Sequence, residues 1–155
     1  MAHNCKNLLI RCMDFRLRDE LIRWIDESGL FAGGFDVISL AGASKSLADG
    51  SAEIQDFFLQ QVSVSTDLHH AQRIIVFHHS DCGAYAQQYH FASPEEEKEK
   101  QIEDMEKTRA ILQGRYPAVE VILVYGQLQD EHGDKIAFEI VSAQPAVVLN
   151  AALAQ

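Results

Sequence analysis

The sequence predicts an α/β fold with an open, mainly parallel β-sheet flanked by helices and an antiparallel edge strand. Three observations carry this. Short apolar or β-branched runs at Asn7–Cys12, Phe35–Leu40, residues 73–78 and residues 119–125 have strand length and read as buried strands. The segments between them carry apolar residues at helical spacing, and strands alternating with helices build parallel sheets. A last segment, in which Ile136, Phe138 and Ile140 alternate with polar neighbours, reads as a half-exposed fifth strand, joined to the fourth by a hairpin through Asp130-Glu131-His132-Gly133-Asp134.

The elements follow in order. After the first strand, Leu17, Leu21, Trp24 and Ile25 recur at i, i+4, i+7 and i+8, the stripe of an amphipathic helix that Gly29 ends. Phe35–Leu40 then turns through Ala41-Gly42-Ala43-Ser44, where glycine permits close backbone approach. From residue 51 to residue 70, Ile54, Phe57, Phe58, Val62 and Leu68 predict a helix packed on the sheet, weakened in propensity across residues 62–66. His69 and His70 fall in its last turn, where the helix dipole favours cations and solvation is the simpler reading.

The third strand ends in His78-His79-Ser80-Asp81-Cys82-Gly83, and a short helix with Tyr85 and Tyr89 follows. Ser93-Pro94-Glu95-Glu96-Glu97 has the cap, the first-turn proline and the acidic opening of a new helix that runs to Gly114. Its inward stripe is read as Ile102, Met105 and Leu112, and its charges as a solvated face. His132 is read as a turn residue. The apolar tail over residues 147–154 is expected to dock on the body of the fold or on a partner subunit.

With 155 residues, 47% of them hydrophobic, the chain is expected to form a single domain, residues 1–155, with a full core. A net charge of −10 argues against nucleic acid as a partner, because phosphates require a lysine and arginine surface. No apolar run is long enough to span a membrane, and the first residues lack the pattern of a secretion signal, so a cytoplasmic location is expected. Three cysteines cannot all pair with one another, and in that compartment cysteine is more often a ligand or a nucleophile than half of a disulfide. Cys5, outside the motifs, is read as a small structural thiol.

Soft and borderline metal ligands gather at the carboxyl ends of two strands, where open α/β sheets bind their ligands. Cys12 ends the first; His79 and Cys82, three residues apart, follow the third. Two thiolates and an imidazole with one position left for water make a catalytic zinc shell. His78 competes with His79, since neighbours on a strand face opposite ways and spacing alone does not choose between them. Asp14 and Arg16, two residues apart, can share a face and pair, which would lower the carboxylate's pKa and fix its direction beside the metal.

In this order, Cys12-x-Asp14-x-Arg16, the Ala41-Gly42 loop and His79-x-x-Cys82-Gly83 resemble the β-class carbonic anhydrases, and Val124-Tyr125-Gly126 entering a hairpin closed by Gly133 is similar to the last strands of that family. The resemblance spans residues 8–141. It implies His79 as the imidazole ligand and a Zn2+ enzyme that reversibly hydrates carbon dioxide to bicarbonate and a proton through zinc-bound hydroxide. It further implies Asp14 orienting that hydroxide, Arg16 holding Asp14, a substrate loop at Ala41, Gly42 and Gly83, and a homodimer or higher homo-oligomer. In closed members of the family the aspartate itself takes the fourth zinc position.

Several positions depart from the family. Leu40 stands where arginine or another polar residue is common, Ala43 replaces asparagine or glycine, and His78 replaces glycine. The chain begins almost at its first strand and is expected to lack the helical arm that wraps the partner subunit in many members. Relatives that hydrolyse carbon disulfide or carbonyl sulfide carry similar ligands and form the alternative enzyme reading. A non-catalytic zinc-binding regulator of the same fold is the alternative from another class. A cysteine phosphatase is disfavoured, because neither motif cysteine opens a five-residue loop ending in arginine.

Overall fold

The apolar runs form strands β1 (Asn7–Cys12), β2 (Phe35–Leu40), β3 (Arg73–His79), β4 (Glu120–Leu128) and β5 (Ile136–Ala143) in a computed structural model that describes residues 3–143. They make one sheet in the order β2-β1-β3-β4-β5. The pairs β2–β1, β1–β3 and β3–β4 are parallel and β4–β5 is antiparallel, with an irregularity in register between Leu123 and Val124. The chain leaves β1 toward one side of the sheet and later returns to β3 on the other. The carboxyl ends of β1 and β3 therefore flank the crevice where the strand order reverses.

Leu8, Leu9 and Ile10 of β1 and Ile74 to Phe77 of β3 are all buried, as parallel strands covered on both faces require. On one face, Leu9, Ile75, Phe77 and Val124 pack against Leu21 and Ile25 of helix α1 (Arg18–Ser28). Trp24 of α1 stacks on Phe138 of β5, the ring centroids 4.8 Å apart. Gly29, in the left-handed region, ends this helix. On the other face, Leu8, Ile10, Ile74, Val76 and Leu123 meet Leu47 of α2 (Lys45–Asp49), Phe58 and Val62 of α3 (Ala52–Ser63), and Met105 and Leu112 of α5 (Pro94–Arg115). A four-residue helix, α4 (Gly83–Ala86), follows Cys82 and buries Tyr85, while Tyr89 lies beyond its end.

The structure corrects the sequence expectations at several places. The single helix expected over residues 51–70 is α3 followed by a π-helical turn, Val64–Leu68, and only Phe58 and Val62 of its apolar stripe pack inward. Ile54, Phe57 and Leu68 are 48%, 59% and 66% exposed, while Leu59, outside the expected stripe, packs inward beside Phe58. His69 is half-buried with Nδ1 2.8 Å from Asp36 Oδ2, so it bridges to β2 instead of lying in solvent. A short helix, α2, follows the Ala41–Ser44 turn, five residues with Leu47 alone buried and too short to show an apolar stripe in the sequence. Glu97, Gln101, Asp104 and Thr108 of α5 are buried, so its polar residues are not all a solvated face.

The hairpin turn is held by the Asp130 carboxylate, which accepts the backbone N–H groups of His132, Asp134 and Lys135, and His132 is exposed there. Among the described residues, no helix is long and apolar enough to cross a membrane. The expectation for residues 147–154 lies outside the described residues.

Candidate metal centre

Cys12 closes β1, His79 closes β3, and Cys82 ends the turn that leads into α4. Their donor atoms lie within 4.8 Å of one another, and all three side chains are buried. The two Sγ atoms are 3.9 Å apart. Two thiolates on one tetrahedral zinc, each bonded at about 2.3 Å, stand roughly 3.8 Å apart, so this spacing accepts the ion with little movement.

His79 donates from Nδ1 to the carbonyl of Ser80 at 2.8 Å, which leaves its Nε2 lone pair bare. That nitrogen is buried without a partner. A buried polar atom lacking a hydrogen bond is costly, and one sharing a cluster with two thiols could be satisfied by a soft or borderline cation. Fixing the remote nitrogen on a carbonyl is how proteins orient a ligating imidazole.

His78 has a different environment, which separates it from its neighbour. Its Nε2 accepts the backbone N–H of Ser44 at 3.3 Å and lies 2.8 Å from Ser44 Oγ, so Nδ1 carries the proton and donates to Gln101 Oε1 at 3.1 Å. Burial pushes its pKa down to about 4, and it stays neutral in the core. His78 is thus a core imidazole bonded to the Ser44 backbone and to the side chains of Ser44 and Gln101.

The Cys12 thiol is driven down, chiefly by its hydrogen bond with Cys82, against burial and with His79 and the Gly42 N–H helping. Cys82 is driven up by the same shared proton and by burial. The two sulfurs thus favour one ionised member between them, and a divalent cation would favour two thiolates. Gly42 donates its N–H to Cys12 Sγ at 3.4 Å. This approach needs glycine: φ is +76°, and an added Cβ would stand 3.0 Å from Lys45 Cβ and 3.2 Å from Ala84 Cβ.

Asp14 follows two residues after Cys12. Arg16 grips its carboxylate, Nη2 to Oδ2 at 2.7 Å and Nε to Oδ1 at 3.1 Å, and the Arg16 backbone N–H adds a bond to Oδ1 at 2.9 Å. The Arg16 side-chain bond, ahead of an opposing contribution from burial, holds the carboxyl below its usual range. Asp14 Oδ2 stands 3.9 Å from His79 Nε2, at the edge of the three-donor cluster. Arg16 also binds Asp81, Nη1 to Oδ2 at 2.7 Å and Nη2 to the carbonyl at 2.8 Å.

Of the loop residues expected near substrate, Gly42 touches Cys12, Gly83 opens α4 directly after Cys82, and Ala41 is exposed, lining an outer cavity with Lys45, Asp49 and Ala84. The sequence reading passed over Asp81, Glu97 and Gln101. Glu97 accepts the backbone N–H groups of Asp81 and Cys82, and Gln101 links Glu97 to the carbonyl of His79. Their signal was available: Glu97, Gln101, Asp104 and Thr108 recur at the spacing of one helix face.

Residues 2–134 match the family model described as "Putative carbonic anhydrase". An uncharacterized protein of Rickettsia bellii (strain RML369-C) is 32% identical over 123 residues, covering 77% of this chain and 74% of the relative. Among solved structures, a carbonic anhydrase from Streptococcus mutans is similar with a TM-score of 0.56 and 18% identity, covering 92% of this chain and 86% of the other. The tetrameric β-carbonic anhydrases of the filamentous ascomycete Sordaria macrospora give 0.54 at 17% identity, covering 91% and 82%. At such identities these structures speak for the fold.

Proposed function

The chain belongs to the carbonic anhydrase family of that model, and on this premise we propose that it is a zinc-dependent enzyme hydrating carbon dioxide reversibly to bicarbonate and a proton. The observation that carries the reading is the bare Nε2 of His79, enclosed with two cysteine sulfurs and faced by the Asp14 carboxylate. Cys12, His79 and Cys82 would hold the ion. When bound there, zinc supplies the Lewis acidity that lets a water ionise near pH 7 and attack carbon dioxide.

The rest is the work of the chain. Asp14, anionic and aimed by Arg16, accepts a hydrogen bond from the reacting water and so directs its lone pair toward the substrate carbon. The Arg16 fork occupies both carboxylate oxygens, which opposes their capture by the metal and favours an open site. Ser80 keeps the His79 ring in its ligating tautomer, and the Gly42 N–H supports a charged Cys12 sulfur.

We read residues 1–155 as one domain working as a homo-oligomer. Support comes from apolar side chains left in water along the edge strand β2 and on α3, where Val37 is 50% and Phe57 59% exposed. Free cysteines at positions 5, 12 and 82 suit a reducing, cytoplasmic setting.

The test is metal analysis of purified protein together with stopped-flow carbon dioxide hydration. About one zinc per chain with hydration above the buffer rate is expected. Protein loaded with zinc at Cys12, His79 and Cys82 but inert toward carbon dioxide would overturn the activity.

A further inference from the structure

The metal-ligand loop does not hold itself. Asp81 sits at φ +54°, a left-handed conformation that costs a residue with a Cβ free energy, and Cys82 follows it directly. The groups that keep this turn in place come from α5. Glu97, buried to 9% exposure, spends both carboxylate oxygens on backbone: Oε2 accepts the Asp81 N–H at 3.0 Å and Oε1 the Cys82 N–H at 2.9 Å. One helical turn on, Gln101 donates from Nε2 to Glu97 Oε1 and to the His79 carbonyl, both at 2.8 Å.

The loop in turn holds the dyad. Because Asp81 is fixed in its left-handed turn, its carbonyl and carboxylate both face the Arg16 guanidinium, whose remaining edge grips Asp14. A continuous path thus runs from Glu97 through the Asp81 backbone to Arg16 and Asp14, and a second from Glu97 to the Cys82 backbone.

We propose that Glu97, braced by Gln101, is a positioning residue of the metal site: its carboxylate clamps the Asp81–Cys82 turn so that the Cys82 sulfur and the Arg16–Asp14 pair are aimed together. The inference rests on the zinc reading given above and extends it to a residue on a helix that carries no ligand. A neutral amide at position 97 can accept only through its oxygen, so it leaves one of the two loop N–H groups facing an NH2 group. The carboxylate's fitness for two donors is the point of the design.

The experiment compares wild type, Glu97→Gln and Asp104→Asn in zinc competition against a chelator and in residue-resolved amide exchange. Asp104 is the control: it lies fully buried on the same face of α5 and accepts from Tyr85, three residues past Cys82, and from Lys100, whereas Glu97 bonds the backbone N–H groups of Asp81 and Cys82 themselves. Expected for Glu97→Gln are zinc affinity lower by roughly 10–100-fold and exchange at Asp81 and Cys82 faster by about tenfold or more, with Val76 in the sheet unchanged. Asp104→Asn should melt at a lower temperature yet keep wild-type zinc affinity.

Unchanged affinity in Glu97→Gln, or an equal loss in Asp104→Asn, would overturn the proposal by reducing Glu97 to a buried polar group. Should Glu97→Gln not fold, the wild-type protein decides: through-hydrogen-bond coupling from the Asp81 and Cys82 amides to the Glu97 carboxyl carbon is expected, and its absence overturns the clamp. A wild-type chain that bound no zinc would defeat the function proposed above, while the exchange rates would still judge whether Glu97 holds the turn.

Discussion

Arg16 forks onto the carboxylate of Asp14, with Nη2 2.7 Å from Oδ2 and Nε within reach of both oxygens. The pairing keeps Asp14 ionised. Its folded pKa is depressed, so the stability it lends is present above the usual carboxylate range and is lost as pH falls through the lowered value. In metal-free protein Arg16→Ala should therefore raise the Asp14 pKa, which carboxyl-carbon NMR reads directly. Hydration should fall about 10–100-fold and its onset move to higher pH, because the released carboxylate is free to take the fourth metal position. A wild-type pH profile in this variant would remove the dyad from the mechanism.

His78 gives the protein an acid limit of its own. Its folded pKa of about 4 lies below the usual 6.5, so the unfolded chain binds the proton first as pH drops. Stability from this group is complete above pH 6.5 and declines as pH falls toward 4, by about 3 kcal/mol over the whole interval. Denaturant unfolding of metal-free protein should show that slope, and His78→Gln should flatten it. Equal slopes in the two proteins would assign the acid sensitivity elsewhere.

Gly42→Ala tests the loop behind Cys12. The new methyl group meets Lys45 and Ala84 at 3.0 and 3.2 Å, with a left-handed backbone to maintain. A loss of about 1–2 kcal/mol in unfolding free energy is expected from the backbone alone, along with weaker metal retention as the N–H to Cys12 shifts. Wild-type stability would mean that the loop relaxes without cost.

Assembly is the next expectation. Light scattering at micromolar concentration should give at least twice the chain mass, and Val37→Lys, on the exposed side of β2, should reduce it. A monomeric wild type would contradict the oligomer.

Much of this protein was legible in its sequence, for identifiable reasons. Strands buried on both faces leave continuous apolar runs, so β1, β3 and β4 were found to within a few residues at each end. Cys12, Cys82 and a histidine at 78 or 79 could be grouped because soft and borderline ligands fall at the carboxyl ends of two strands, and the family resemblance, not the spacing, pointed to His79. The choice between His78 and His79 was not legible from alternation. It depends on what each ring meets across the chain, Ser44 and Gln101 for one and the Ser80 carbonyl for the other. The stripe on α5 was hidden by composition: among so many charged neighbours, Glu97 and Asp104 look like solvent-facing residues until the helix is laid against the ligand loop.

The role of Asp14 beside the metal is tested most directly by the pH dependence of carbon dioxide hydration by zinc-loaded wild type and Asp14→Asn, with zinc content measured on the same samples. Wild-type activity is expected to rise with pH as the reacting water ionises, and Asp14→Asn to keep its zinc yet lose about 100-fold or more in turnover. Metal and activity would then separate at a single carboxylate. Full activity in Asp14→Asn, or hydration no faster than buffer in zinc-loaded wild type, would contradict it.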